Sequence, residues 1–399
     1  MNAPLPLDEA QRLLLDAVVP LGVERVPAGE ALGRYVAEDV TAVRTQPAAD
    51  LSAMDGYAMP EGDTHGPWRI VGESAAGHPF PGTLSPGEAV RISTGALMPA
   101  GAGAVLVQED AARGGDRLDL NGEGEPSPRH IRRAGFDFRV GDRLLTAGTR
   151  LGPAQIGLAL SGGHAELAVR RFPSVAVIDS GDELGADPAE CARHQIPASN
   201  GAMLAAMMAP LAAGVRRTGP VADSLDALLA AFGEASDADV IVTSGGASVG
   251  DHDLVRPALE AWGAEIDFWR VAMRPGKPIL IARRGAQWIV GLPGNPVSSY
   301  VTAFVFALPL LRRLAGACEC LPTPLTLPLA EAMEPGGSRL ELVRARYRDG
   351  RVAPVGSQDS SAQRSLAAAN ALIRREIDAP LAAAGDPLTA YLLENGGIA

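Results

Sequence analysis

Leu7, Ala10, Leu13, Leu14, Ala17 and Val18 recur at helical spacing, so the chain opens with an amphipathic helix. From about residue 50 to 130 the texture changes. Short apolar runs such as 68–72 and 104–110 stand between Gly/Pro-rich turns, the pattern of a small all-β unit, and 114–130 reads as a surface hairpin. A helix follows, with Pro153 where a missing N–H does least harm and Gly162 near its end. Beyond it, the continuous apolar runs 174–179, 239–243, 278–282 and 287–292 alternate with helical stretches from Asn200, at 224–232 and at 254–262. Strands buried on both faces and alternating with helices predict a mostly parallel, doubly wound α/β domain over about 173–316. The tail returns to strand-like alternation at 339–348, 371–377 and 388–393, which predicts a further β-rich domain.

Charge narrows what such a protein can bind. The 399-residue chain carries a formal net charge of −12 and 4% aromatic residues, which argues against a nucleic-acid or anionic-membrane surface. Any phosphate must be held by local geometry. Cys191, Cys318 and Cys320 form no zinc or redox spacing, and three thiols fit a reducing compartment. The first twenty residues lack a basic segment, and the apolar stretch 301–311 is too short for a membrane span, so a cytoplasmic protein with a buried helix is expected.

Ligands of doubly wound folds sit at the carboxyl ends of the strands, and four strand-end stretches here carry chemistry. The stretch 243–253, TSGGASVGDHD, joins small residues (Ser244, Gly245, Gly246, Ser248, Gly250) to the carboxylates Asp251 and Asp253. Successive N–H groups at such a turn make an anion nest, although a plain tight connection has the same composition. Carboxylates beside an anion make sense if a divalent cation bridges them. The stretch 270–278, RVAMRPGKP, holds Lys277, the only lysine among 35 basic residues. That suggests a need for a compact point charge, with a residual lysine on a solvated loop as the other reading. The stretch 291–299, GLPGNPVSS, stiffens a turn with Pro293, Gly294, Asn295 and Pro296, and 179–184, DSGDEL, offers Asp182 and Glu183.

These stretches, taken in order with SAMDGYA (52–58), ISTGA (92–96), IRRAGFD (131–137) and QRSLAAANAL (363–372), resemble the molybdopterin molybdotransferases, the MoeA family that includes the E domain of gephyrin. The resemblance runs over nearly the whole chain. It implies a homodimer, with an elongated N-terminal domain (1–51 and 131–172) and an inserted small β domain (52–130). An α/β molybdopterin-binding domain (173–316) and a C-terminal β-barrel (317–399) complete it. It also implies Mg²⁺-dependent insertion of molybdate into adenylylated molybdopterin with release of AMP, in a cleft built from both subunits. A molybdopterin adenylyltransferase and apo-molybdoenzymes are the protein partners such an activity calls for.

By motif match the acids are Asp55, Asp137, Glu183, Asp223 and Asp253, with Thr94, Arg132, Lys277, Pro293 and Pro296 completing the cleft. On this reading the Gly245-Gly246 nest and Lys277 hold the pyrophosphate, Glu183, Asp223 and Asp253 hold Mg²⁺, and Asp55, Thr94, Arg132 and Asp137 of the facing subunit position molybdate. Three departures from the family stand out. Phe136 replaces an acid, Arg270 and Arg274 stand where lysines are common, and Asp179-Ser180 replaces Ser-Thr. A non-catalytic scaffold on the same fold, or another nucleotide-activated cofactor transferase or phosphohydrolase, are the alternatives.

Overall fold

The computed structural model describes residues 4–122, 124–245, 254–276 and 278–393. Helix α1 (Leu7–Ala17) follows Pro6 and carries Asp8 and Glu9 in its first turn, where acids complement the helix dipole. Strands β1 (Val23–Pro27), β2 (Val40–Thr41) and β3 (Leu51–Ser52) come next. Six strands then form one sheet: β4 (Gly56–Met59), β5 (Trp68–Ser74), β6 (Glu88–Ile92), β7 (Ala104–Val107), β8 (Ala111–Gly114) and β9 (Arg117–Leu120), in the order β7-β4-β6-β5-β9-β8. The return path is β10 (Ile131–Arg132), β11 (Arg143–Leu145), α2 (Pro153–Ser161) and β12 (Glu166–Arg170). Here β10 pairs with β3, β11 with β2 and β12 with β1, all antiparallel, so the segments flanking the six-stranded sheet run back along each other.

The α/β layer contains β13 (Ser174–Ser180), β14 (Leu184–Gly185), β15 (Ile196–Pro197), α3 (Asn200–Met208), β16 (Gly214–Val221), α4 (Leu225–Glu234) and β17 (Val240–Ser244). It continues through α5 (Val255–Ala261), β18 (Glu265–Arg270), β19 (Met273–Arg274), β20 (Pro278–Arg284), β21 (Gln287–Leu292), α6 (Pro296–Thr302) and α7 (Leu308–Leu314). The sheet order is β16-β13-β17-β21-β20-β18, parallel from β16 to β21 and antiparallel at β20 and β18. The parallel reading ends there because only residues 285–286 separate β20 from β21, and a connection that short can only turn the chain back.

Alternating residues of the strands explain the continuous apolar runs. Val175, Val177, Val240 and Val242 face one core with residues of α1, α3, α6 and α7, whereas Ala176, Ile178 and Ile241 face a second core with α4 and α5. The apolar stretch near 301–311 belongs to a longer helical run, Pro296–Leu314, with a π-helical segment at Ala303–Ala307. Of its most apolar window 89% is buried, so it is a core helix. Pro309 cannot donate to the carbonyl of Val305, four residues earlier, and buried Gln11 of α1 supplies the missing bond at 2.8 Å.

The last unit contains β22 (Leu325–Pro328), β23 (Leu340–Arg348), β24 (Arg351–Pro354), α8 (Gln363–Ala368), β25 (Ala371–Arg375) and β26 (Pro387–Leu392). The antiparallel order β24-β23-β25-β26-β22 is closed by a bridge between Leu329 and Val352, which makes a small barrel around Val343, Ala345, Ile373 and Ala390. Arg374 of the barrel holds Asp8 of α1 through two bonds of 2.9 Å, which keeps the Asp8 carboxyl below its usual range.

Candidate active site

Strands β13, β17 and β21 are parallel neighbours, so their carboxyl ends share one edge of the sheet. The loops that leave them wall a cleft of about 750 Å³. Gly245 follows β17 with φ +105°, and its N–H donates to the Leu292 carbonyl at 3.2 Å. A Cβ there would lie 2.5 Å from the Ser180 carbonyl oxygen, so only glycine fits between the ends of β13 and β21. Gly294 packs against the same backbone, since a Cβ on it would be 3.6 Å from Gly245 Cα.

Asn295 precedes α6 yet makes no side-chain cap; its amide donates to Ser360 Oγ at 2.9 Å, while Val297 N donates to the Ser360 carbonyl at 3.1 Å. The rigid 291–299 loop is thereby fastened to the segment between β24 and α8, which contributes Ser361, with Gln363 of α8 beside it, to the cleft. Buried Arg344 of β23 braces that segment by donating to the carbonyls of Ser357 and, at 3.0 Å, of Asp359.

Glu183 and Asp223 stand on the acidic side of the cleft. Asp182 and Asp223 lock their loops together: Asp182 N donates to Asp223 Oδ2 at 3.3 Å, and Asp223 N to Asp182 Oδ1 at 3.1 Å. Among the described residues no three acidic, histidine or cysteine side chains converge into a complete metal cage. Mg²⁺ needs no such cage, because it keeps several waters and takes one or two carboxylates together with phosphate oxygens. Glu183 and Asp223, both lining the cleft, offer carboxylates of that kind.

The floor of the cleft is polar and buried. Asp179 and Ser180, each 4% exposed, end β13; among the described residues Asp179 Oδ1 and Ser180 Oγ have no hydrogen-bond partner. Burial pushes the Asp179 carboxyl up to about 6, opposed by the Gly201 N–H that it accepts and by the charge of Arg217. Asn200 donates to Ser244 Oγ at 2.9 Å and to the Gly294 carbonyl at 2.7 Å, joining two walls.

Of the residues singled out in the sequence, the structure brings Glu183, Asp223, Ser244, Gly245, Pro293, Gly294, Asn295 and Pro296 to this one cleft. Gly246, Ser248, Gly250, Asp253 and Lys277 lie outside the described residues. Arg270 and Arg274 are not among the lining residues; Arg274 pairs with Glu341 at 3.2 Å, and the Arg270 carbonyl accepts from Leu5 N.

Asp55, Thr94, Arg132 and Asp137 are exposed and do not line the cleft of their own chain. Instead they belong to the junction of β3 and β10 and the loops beside it. Thr94 N donates to Asp55 Oδ1 at 2.8 Å, Arg132 pairs with Leu51 across the strands, and Asp137 N donates to the Gln46 carbonyl at 3.1 Å. Phe136 beside them is 76% exposed. Ser199, Asn200 and Ser361 line the cleft without having been named as site residues from the sequence, and Gln363 lines it from the QRSLAAANAL stretch (363–372). A Ser-Asn pair at the start of a helix was the available signal for Ser199 and Asn200, and the quoted 363–372 stretch for Gln363; for Ser361 there was none.

Comparison with known proteins follows the same layout. Three family models match in chain order: MoeA N-terminal region (domain I and II) over residues 5–163, "Probable molybdopterin binding domain" over 176–313, and MoeA C-terminal region (domain IV) over 326–393. The molybdopterin molybdenumtransferase of Haemophilus influenzae is 33% identical, covering 96% of this chain and 98% of its own. Molybdopterin molybdenumtransferase 2 of Mycobacterium tuberculosis is 35% identical, again covering 96% and 98%. Among solved structures, the molybdopterin biosynthesis MoeA protein of Pyrococcus horikosii is 27% identical and superposes with a TM-score of 0.80 over 98% of this chain and 99% of that one. Full-length similarity of sequence and of fold places the chain in the MoeA family of molybdopterin molybdenumtransferases.

Proposed function

We propose that this protein is a molybdopterin molybdotransferase of molybdenum cofactor synthesis, taking molybdate and adenylylated molybdopterin to the cofactor and AMP. The observation that carries the reading is the meeting of Glu183 and Asp223 with the Ser244–Gly245 turn and the Pro293–Pro296 loop in one cleft at the strand ends. Ser244 Oγ accepts from Asn200, which leaves its own O–H to donate to a phosphate oxygen. The rigid proline loop and the backbone-to-backbone packing at Gly245 hold the walls at fixed separation, so ligand groups are positioned without further ordering.

Two unit charges 4 Å apart repel by about 4 kcal/mol at intermediate dielectric, so Glu183 and Asp223 would oppose an anionic ligand unless a cation stood between them. Mg²⁺ held by this pair would remove that repulsion and polarise the phosphate. The exposure of Asp55, Thr94, Arg132 and Asp137, and their absence from the cleft of their own chain, support a homodimer in which a second subunit presents them to molybdate. The assignment is cytoplasmic, in keeping with three free cysteines.

The test is transfer itself: purified protein, molybdate and adenylylated molybdopterin, with cofactor read by reactivation of a cofactor-free molybdoenzyme and AMP counted alongside. Stoichiometric cofactor and AMP, lost in EDTA and restored by Mg²⁺, is the expected result. Absence of transfer would remove the reading, and full transfer in saturating EDTA would remove the metal role of Glu183 and Asp223.

A further inference from the structure

Helix α3 is capped from outside its own sequence. Its N-cap residue, Ser199, sits at φ −91° and ψ −22°, and its side chain makes no cap bond. Ser199 Oγ accepts instead from Gln363 Nε2 of α8 at 2.9 Å, and the next side chain, Asn200, is committed to Ser244 and Gly294. The first turn of a helix leaves N–H groups that need an acceptor, and a serine cap normally provides one. Here Asp179 on β13 provides it, its Oδ2 accepting from Gly201 N at 3.0 Å. The approach is close: a Cβ on Gly201 would stand 2.1 Å from the same oxygen.

We infer that Asp179 is a positioning residue for substrate binding, which takes over the cap of α3 from beneath and so frees Ser199 and Asn200 to build the cleft wall. The second oxygen of Asp179 has no partner among the described residues and the residue is 4% exposed, so the group is retained in a costly environment at the cleft floor. Among the described residues Glu183 and Asp223 are the other acids that line the cleft, and Arg217 is the cation whose charge acts on Asp179.

The inference rests on the cleft being the substrate site, and two readouts separate it from that reading. Asp179→Ala removes the acceptor, whereas Asp179→Asn keeps one. Asp179→Ala is expected to raise KM for adenylylated molybdopterin about tenfold, the scale of one lost hydrogen bond to a charged group, with kcat little changed. Asp179→Asn is expected to restore the wild-type KM. Amide exchange at residues 201–204 should accelerate in Asp179→Ala and not in Asp179→Asn, whether or not the protein transfers molybdenum. Gly201→Ala should show the raised KM, and the Asp179→Ala/Gly201→Ala double variant should be no worse than Asp179→Ala alone. Unchanged KM and exchange in Asp179→Ala would overturn the inference, as would Asp179→Asn being equally impaired. Faster exchange in Asp179→Ala from a wild-type protein without transfer activity would support the cap and sink only the transfer reading.

Discussion

Asn200 and Gly294, 94 residues apart in sequence, are joined by a 2.7 Å hydrogen bond from Asn200 Nδ2 to the Gly294 carbonyl. With the companion bond to Ser244 Oγ at 2.9 Å, one amide ties the start of α3 to both glycine-bearing loops of the cleft. Asn200→Ala should therefore weaken binding of adenylylated molybdopterin by about 2 kcal/mol, roughly thirtyfold, since two wall contacts go together. Calorimetry on the purified variant checks it; affinity equal to wild type would mean the walls hold without this brace.

Stability should depend on pH through Asp179. Its folded pKa, about 6, lies above the ordinary 3.8, so between these values the unfolded chain releases a proton that the folded protein keeps. Stability from this group is greatest below about pH 4, falls as pH rises and reaches its floor above about pH 6; the span is on the order of 3 kcal/mol. Asp179→Asn should melt higher than wild type at pH 8, with the gap closing toward pH 4. Parallel melting curves across that window would contradict the burial argument.

Gly245 should tolerate no side chain. With φ at +105° and the Ser180 carbonyl 2.5 Å from where a Cβ would stand, Gly245→Ala must move backbone at the ends of two strands. A loss of about 2 kcal/mol or more is expected, read as a lowered Tm, because the clashing atom is a backbone carbonyl rather than a flexible side-chain end. An unchanged Tm would show that the turn has slack.

A site shared between subunits predicts complementation. Asp55→Ala and Asp223→Ala homodimers should each be inactive, yet mixing them equally after dissociation should restore about a quarter of wild-type transfer, since random two-fold pairing leaves that share of sites with both acids intact. No recovery on verified subunit exchange would place Asp55 and Asp223 in the same protomer's chemistry.

Much of the architecture was legible along the chain. The runs at 174–179 and 239–243 are apolar without alternation because each strand is covered on both faces, and that signature survives without knowing what covers it. Glycine and proline at 245 and 293–296 marked the loops because their backbone demands are local. The antiparallel turn-back of β20 could have been read from the two residues that join it to β21.

What the tertiary structure alone decided is which side chains meet. Asp179 reaches Gly201, Ser199 reaches Gln363 across 164 residues, and Gln11 satisfies the carbonyl that Pro309 leaves open. None of these pairs has a spacing or period that a sequence could display. Each depends on elements that meet only in the fold: α3 on β13, α8 beside the start of α3, and α1 against the helical run that holds Val305. A hydrogen bond acts over about 3 Å and so depends on where the folded backbone arrives, whereas apolar patterning records only whether a position is covered.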